Sequence, residues 1–525
     1  RTYFTIENGE VVQKVLDKID FKLEVVETKN DKIDEIFDDF IKPFDLSRAP
    51  LFRAKFIKSK NIYVLLIDMH HIVCDGRSSS IFADELCKLY NGENIPKEDL
   101  DYIDFTCWEN KFSTTSEFNQ LKDFWLNSFE GDLPVLNMPL QKARPKTQSF
   151  KGNKLYAKIE NTVKMSELCK KLNVTPYMFL LALYYVLLYK YTNQNDIIVG
   201  SPIVGRDNVQ TSNIIGMFVN TLPLRAKIDS NSSFKNFLEN VKDNCLLAFE
   251  NQLYPFDELV KNLDIPRDSS TTPIFSTMFT YQNAGTPPLN LGDFKTKYYI
   301  PDNNTSKFDF SLEISPEENC LSISLEYCTD LFDKDFMQDF LNHYINVYNF
   351  VINENLDTLI KNISILSSTE KYSLLNEYND TYLDYAKDKT YIELFEEQVK
   401  KTPNKKAVIF GDTYLTYEEL NKKSNQIANY LRNHNVKPND IVGIMCNRSL
   451  ELLTCMIGVL KAGAAYLPID PTYPKDRIDY IIHNSNIDVL LTLDSVKNSI
   501  PDLTNYTIVD FDKSDIYTLP SENLK

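Results

Sequence analysis

Residues 61–73 read NIYVLLIDMHHIV, an unbroken apolar run that ends in two adjacent histidines. A run of this length and β-branched content is expected as a strand covered on both faces, which requires a layered α/β fold around it. The strand should stop at a turn, because Asp75-Gly76 follows at once. Around it, residues 1 to about 110 alternate apolar strands with amphipathic helices. Residues 104–130 carry Phe105, Trp108, Phe112, Phe118, Phe124 and Trp125 at helical spacing and predict one helix. The Pro-containing loop 136–152 then marks a lobe boundary.

A second α/β lobe is expected beyond that loop. NVTPYMFLLALYYVLLYKYT is a strongly apolar helix opened by Thr175 and Pro176, and NDIIVGSPIVGR is a short buried strand with its turn. KFDFSLEISPEENCLSISLEYC alternates as a hairpin, and a helix is expected over 333–351. The polar stretch 353–387 reads as a linker, after which helix and strand alternate as in an open α/β sheet.

With 525 residues, roughly three folding units are expected. The 57 Lys and Arg against 74 Asp and Glu give a net charge of −17, a field that repels phosphate backbones and anionic lipid. Neither nucleic acid nor a membrane is expected as a partner. No apolar run reaches the length of a membrane span and the first residues do not resemble a signal peptide, so a cytoplasmic location is expected. The 9 Cys are scattered singly, without metal spacing, and read as reduced, mostly buried thiols; no metal site is expected.

The chain has 5 His, and placing two of them side by side before Asp75 and Gly76 is its most specific signal. In an extended segment, neighbouring side chains point to opposite faces, so one imidazole can face a cavity while the other packs on the scaffold. Two core histidines beside an Asp-Gly turn would give the same letters. The surrounding segments argue against that reading.

MHHIVCDGRSSS resembles the HHxxxDG signature of the condensation domains of nonribosomal peptide synthetases, which are similar in fold to chloramphenicol acetyltransferase. Arg1, Thr2 and Phe4 resemble the end of that family's RHExLRTxF, and Tyr102, Asp104 and Trp108 its YxDxxxW. GSPIVGR (200–206), IGMFVNTLPLR (215–225), NQLYPFDELV (251–260) and RDSSTTPIF (267–275) resemble its remaining segments, in order. LTYEEL (415–420) and LKAGAAYLPIDPTYP (460–474) resemble the start of an adenylation domain.

The resemblance implies an α/β (α+β) fold. Two chloramphenicol-acetyltransferase-like lobes would form a V-shaped pseudodimer with a central channel, followed by an incomplete α/β adenylation subdomain. The expected limits are 1–120 for a first lobe whose start is missing, 121–355 for the second, 356–387 for the linker and 388–525 for the adenylation part. No phosphate loop appears in that part, so adenylation activity is not expected from it. The chain would bind no cofactor itself: 4'-phosphopantetheine would come on upstream donor and downstream acceptor carrier domains of the synthetase, and ATP with Mg would serve only a complete adenylation domain.

The implied reaction is amide bond formation between a donor thioester and an acceptor α-amine. His71 would orient the amine and accept its proton, with a backbone N–H near Gly76 stabilising the oxyanion. His70, Asp75 and Arg206 would be structural, the last two as an ion pair, while Ser78, Asn220 and Tyr254 are candidates for the channel lining. An epimerization or dual epimerization/condensation domain and a catalytically silent carrier-docking platform are the alternatives. The segments NTLPLR, NQLYPF and RDSSTTP resemble domains that take an L-configured donor.

Overall fold

The computed structural model describes all residues except 30–32, 61, 97, 161, 207, 264, 266–267, 283–288, 300–302, 500–506, 512–514 and 525. Arg267, at the head of RDSSTTPIF, therefore lies outside the described residues. The chain forms two compact units, Arg1–Asp380 and Thr381–Lys525.

The first unit opens with a hairpin of β1 (Thr2–Glu7) and β2 (Glu10–Val15). Its turn is Asn8-Gly9, both at positive φ, the pairing that a two-residue turn between twisted strands requires. Next come β3 (Glu24–Glu27), α1 (Ile33–Phe40), β4 (Phe52–Lys58) and β5 (Tyr63–Met69). The three strands form a sheet in the order β3-β4-β5, with Phe40, Ile57 and Leu66 as its small core. Strand β5 corrects the expectation of burial on both faces. Among the described residues it is an edge strand paired only with β4, and Tyr63 and Leu65 remain exposed.

Helix α2 (Gly76–Tyr90) follows the histidines, and α3 (Tyr102–Phe112) and α4 (Ser116–Ser128) follow it. The single helix expected over 104–130 is thus two helices. Thr115 breaks it: its hydroxyl accepts the N–H of Phe118 and starts a new helix, the preference that short oxygen-bearing side chains show for N-caps. The expected lobe division at 120/121 falls inside α4, whose Trp125 is buried in the core of the second lobe.

The second lobe comprises β6 (Gly152–Glu160), α5 (Val163–Leu172), α6 (Pro176–Thr192), β7 (Asp196–Ile203) and β8 (Asn220–Lys227). It continues with α7 (Phe234–Glu250), α8 (Phe256–Asn262), β9 (Thr277–Tyr281), β10 (Phe310–Pro316), β11 (Cys320–Cys328) and α9 (Lys334–Asn353). A six-stranded sheet, β6-β11-β10-β9-β7-β8, carries α6, α7 and α9 in one core with its inward residues Phe310, Leu312 and Ile314. Helix α6 is apolar all round because it is central: every residue from Met178 to Leu188 is buried. Thr175 caps it and Pro176 occupies its first turn, as expected from sequence.

Part of the segment expected as a linker also belongs to this core. Ile360 and Ile363 are buried in it, and a short helix, α10 (Ser368–Tyr372), places Glu370 against His343 of α9. Polar composition concealed these two anchors.

The second unit contains α11 (Tyr391–Lys401), the hairpin β12 (Lys406–Phe410) and β13 (Thr413–Thr416), and α12 (Tyr417–Asn433). It continues through β14 (Ile441–Met445), α13 (Leu450–Ala462), β15 (Ala465–Ile469), α14 (Lys475–Asn484), β16 (Val489–Thr492) and β17 (Thr507–Asp510). Its sheet, β15-β14-β16-β17, is parallel throughout, the open α/β pattern expected for this region. Among the described residues, no single helix is long and apolar enough to cross a membrane.

Candidate active site

Strand β5 ends at Met69, and the backbone then turns. His70 is the N-cap of a short 3-10 turn over His71–Val73, and its Nδ1 accepts the N–H of Ile72 at 3.1 Å. That bond leaves the ring proton on Nε2. The His70 ring stands edge-on to Phe44, 6.0 Å between centroids. His71 is exposed, and no described residue makes a hydrogen bond to its ring. The two imidazoles thus have different surroundings, His70 engaged in a capping turn and His71 exposed, and the segment is a turn and not an extended strand. Cys74, beside them, is buried. Burial and the charges of Asp75 and Asp68 push its thiol up to about 11, which makes it a poor nucleophile.

Asp75 caps α2: its Oδ1 accepts the N–H of Ser78 at 2.7 Å. The same carboxylate meets Arg206 from the other lobe, with Nη2 3.0 Å from Oδ1 and 3.1 Å from Oδ2, and its Oδ2 accepts the N–H of Phe218 at 3.2 Å. Arg206 donates from Nη1 to the carbonyls of Thr211 (2.7 Å) and Ile214 (2.6 Å) and lies over the Phe218 ring at 4.0 Å. Burial lowers its pKa against the pull of Asp75, but a guanidinium stays charged.

Two glycines make this junction sterically possible. Gly205 has φ +63°, and a Cβ there would lie 2.0 Å from the Phe218 carbonyl oxygen. A Cβ at Gly216 would strike the ring of Tyr102, whose hydroxyl donates to the Met217 carbonyl at 2.7 Å. Gly76 differs: a Cβ there would meet nothing within 4 Å, so the first turn of α2 faces open space.

Ser78 does not line such a space. It is fully buried, its Oγ lies 2.7 Å from Asp75 Oδ1 and 2.9 Å from the Gly216 carbonyl oxygen, and it accepts N–H groups of Gly216 (3.0 Å) and Arg206 (3.1 Å). It seals the seam between the lobes, which corrects the expectation of a channel-lining hydroxyl. Asn220 is likewise committed to structure. Its Nδ2 donates to the carbonyls of Gln252 (2.9 Å) and Tyr254 (2.8 Å), and its Oδ1 accepts from Phe256 at 3.1 Å. Tyr254 is buried against Phe118, its hydroxyl accepting from Asn262 at 3.2 Å. Both hold the loop before α8.

Sequence reading noted Tyr102 and Phe218 only as motif letters. The structure joins them at one seam, with rings 5.2 Å apart, a meeting that no local sequence signal marks. Among the described residues, no group of three or more His, Cys, Asp or Glu could hold a metal ion.

The condensation domain family matches residues 1–375, and the AMP-binding enzyme family matches residues 395–523. Gramicidin S synthase 2 of Brevibacillus brevis is 41% identical over 506 residues, covering 95% of this chain and 11% of that protein. Bacitracin synthase 2 of Bacillus licheniformis is 40% identical over 528 residues, covering 100% of this chain and 20% of that one. The chain thus spans a small part of the curated relatives it matches. A solved four-domain nonribosomal peptide synthetase, bound to AMP and glycine, superposes with a TM-score of 0.81 at 23% identity, covering 98% of this chain and 40% of that one. That likeness defines the fold class, the two-lobed chloramphenicol-acetyltransferase-like architecture followed by an adenylation region. The chain belongs to the condensation domain family of nonribosomal peptide synthetases, enzymes that form peptide bonds, and passes into AMP-binding enzyme sequence.

Proposed function

We propose that residues 1–375 join a donor acyl or peptidyl thioester to the α-amine of an acceptor aminoacyl thioester, each presented on the phosphopantetheine arm of a carrier domain. The observation that carries this reading is the exposed, unengaged ring of His71 beside a buried ion pair that fixes the two lobes to each other.

An α-amine has a pKa near ~7.8, so deprotonation at neutral pH costs only about 1 kcal/mol. Alignment of the two arms can contribute about 7 to 11 kcal/mol and is the larger effect. His71 hydrogen-bonds the amine and accepts its proton as the nitrogen attacks the thioester carbon. The C–N bond forms, the C–S bond breaks, and the departing thiolate takes up a proton. The N–H groups of the first turn of α2, at Gly76, lie at the positive end of a 15-residue helix and suit the developing oxyanion.

The segments NTLPLR and NQLYPF support an L-configured donor. The test is a single-turnover assay in which donor and acceptor carriers are loaded and the product is measured by mass spectrometry, with L and D donors compared. His71→Ala should abolish product. Full product from His71→Ala would refute the assignment, and preference for a D donor would overturn the stereochemical part. An inverted residue released without coupling would indicate epimerization instead.

A further inference from the structure

Behind the histidine turn lies a charged contact that takes no part in the coupling chemistry. Arg53 of β4 stands opposite Asp68 of β5 in the strand register, and its Nε lies 2.9 Å from Asp68 Oδ2, an ion contact without the alignment of a hydrogen bond. The two side chains are only 23% and 26% exposed. Nη1 donates to the Phe40 carbonyl at 3.5 Å and Nη2 to the Lys42 carbonyl, so the guanidinium also ties down the end of α1 and the loop after it. In that loop the Phe44 ring packs on the guanidinium carbon at 3.8 Å and meets the His70 ring edge-on, 6.0 Å between centroids. An unbroken series of contacts thus runs from Asp68 through Arg53 and Phe44 to His70.

Asp68 also bears on the turn directly. His70 keeps extended dihedrals at the end of β5, so residues 68 and 70 share one face of the chain, and the Asp68 charge helps to raise the Cys74 thiol. The turn that presents His71 depends on a lone pair at His70 Nδ1, which accepts the Ile72 N–H at 3.1 Å. A protonated imidazole has two N–H donors and no acceptor, so that bond exists only for the neutral ring. A nearby carboxylate without a cation favours the protonated ring. The other charges around the turn are matched or in water: Asp75 pairs with Arg206, Asp45 beside Phe44 pairs with Arg48 at 3.4 Å, and Arg77 is exposed. Arg53 is the group that cancels Asp68.

We propose that Arg53 is a positioning residue for the coupling reaction: by pairing with Asp68 and backing Phe44 it keeps His70 neutral and bonded to Ile72, so that the turn holds His71 in place for the amine. The inference rests on the role of His71 proposed above. Arg53 acts through His70 and touches neither substrate nor His71.

The experiment uses the full chain with loaded donor and acceptor carriers and follows coupling from about pH 5 to 8, the range in which an imidazole titrates. Wild-type coupling and its loss in His71→Ala first test the parent reading, independently of Arg53. Arg53→Met should lower kcat by about 10- to 100-fold, the scale of a catalytic group displaced and not removed, with acceptor KM within about twofold of wild type. Its acid limb should also move to higher pH, because Asp68 now stands uncompensated. Adding Asp68→Asn to Arg53→Met should return the acid limb to its wild-type position and recover part of kcat. Arg53→Lys, which keeps the charge but loses the planar fork, should keep the wild-type acid limb with a reduced kcat. A purely structural role predicts instead an equal loss at every pH that Asp68→Asn does not relieve, and that result would overturn the proposal. So would a wild-type kcat and pH profile in Arg53→Met; in both cases an inactive His71→Ala leaves the coupling reaction standing.

Discussion

Arg206 and Asp75 form an ion pair between the two lobes in which a single guanidinium nitrogen lies within 3.1 Å of both carboxylate oxygens. Their side chains are 3% and 0% exposed. Charges so deeply buried are tolerable only together, because each alone would face the full loss of hydration. The pair fixes the histidine turn relative to the second lobe, and its consequences are measurable.

Asp75→Ala should lower unfolding free energy by about 3 to 5 kcal/mol, since it strands Arg206 and removes the cap of α2. Arg206→Ala should cost a similar amount. The double replacement should cost less than the sum, because no charge is left unpaired. Urea denaturation of the four proteins measures this; additive losses would show that the pair is not coupled.

His71→Ala should separate activity from folding. The ring is exposed and unbonded, so stability should stay within about 0.5 kcal/mol of wild type. Peptide formation should fall about 100-fold or more if the ring handles the proton. Thermal unfolding and product assays on one preparation supply both numbers.

Two alanine substitutions should behave oppositely. Gly205→Ala places a Cβ against the Phe218 carbonyl at a positive φ and should destabilise by about 1 to 3 kcal/mol. Gly76→Ala meets open space, so the protein should fold normally while coupling falls, because the methyl stands before the N–H groups proposed for the oxyanion. Normal coupling by Gly76→Ala would remove that turn from the mechanism.

Glu370 predicts a pH effect. Burial pushes its carboxyl up, but the hydrogen bonds from Ser367 and His343 outweigh this and hold it below the usual glutamate value. A carboxyl lowered on folding stabilises fully above its unfolded pKa, and that contribution is lost as pH falls through the folded value. Because Glu370 is partly exposed, Glu370→Ala should cost only about 1 kcal/mol near neutrality. The difference from wild type should shrink below the ordinary glutamate range, as a pH series of thermal unfolding would show; a constant difference would argue that the contact is steric.

Much of this was legible one segment at a time. The Thr175-Pro176 start of α6, the 310–328 hairpin and the parallel alternation after Tyr391 follow local rules of capping and period, which neighbouring residues satisfy among themselves. The break at Thr115 was missed because an apolar stripe at helical spacing continues across it, and spacing alone does not register a capping hydroxyl. Strand β5 looked doubly covered because composition records apolarity and not what packs against it.

The amino-acid order by itself determined the family and the choice of the two histidines, since six motifs in sequence and a lone His-His pair require no coordinates. Only the tertiary structure decided which polar groups are free. Ser78 is engaged at the seam, Asn220 and Tyr254 hold a loop, and His71 is left open. The reason is physical: whether a side chain has a partner depends on groups brought from more than a hundred residues away, as Gly216 is to Ser78, and no local pattern encodes that meeting.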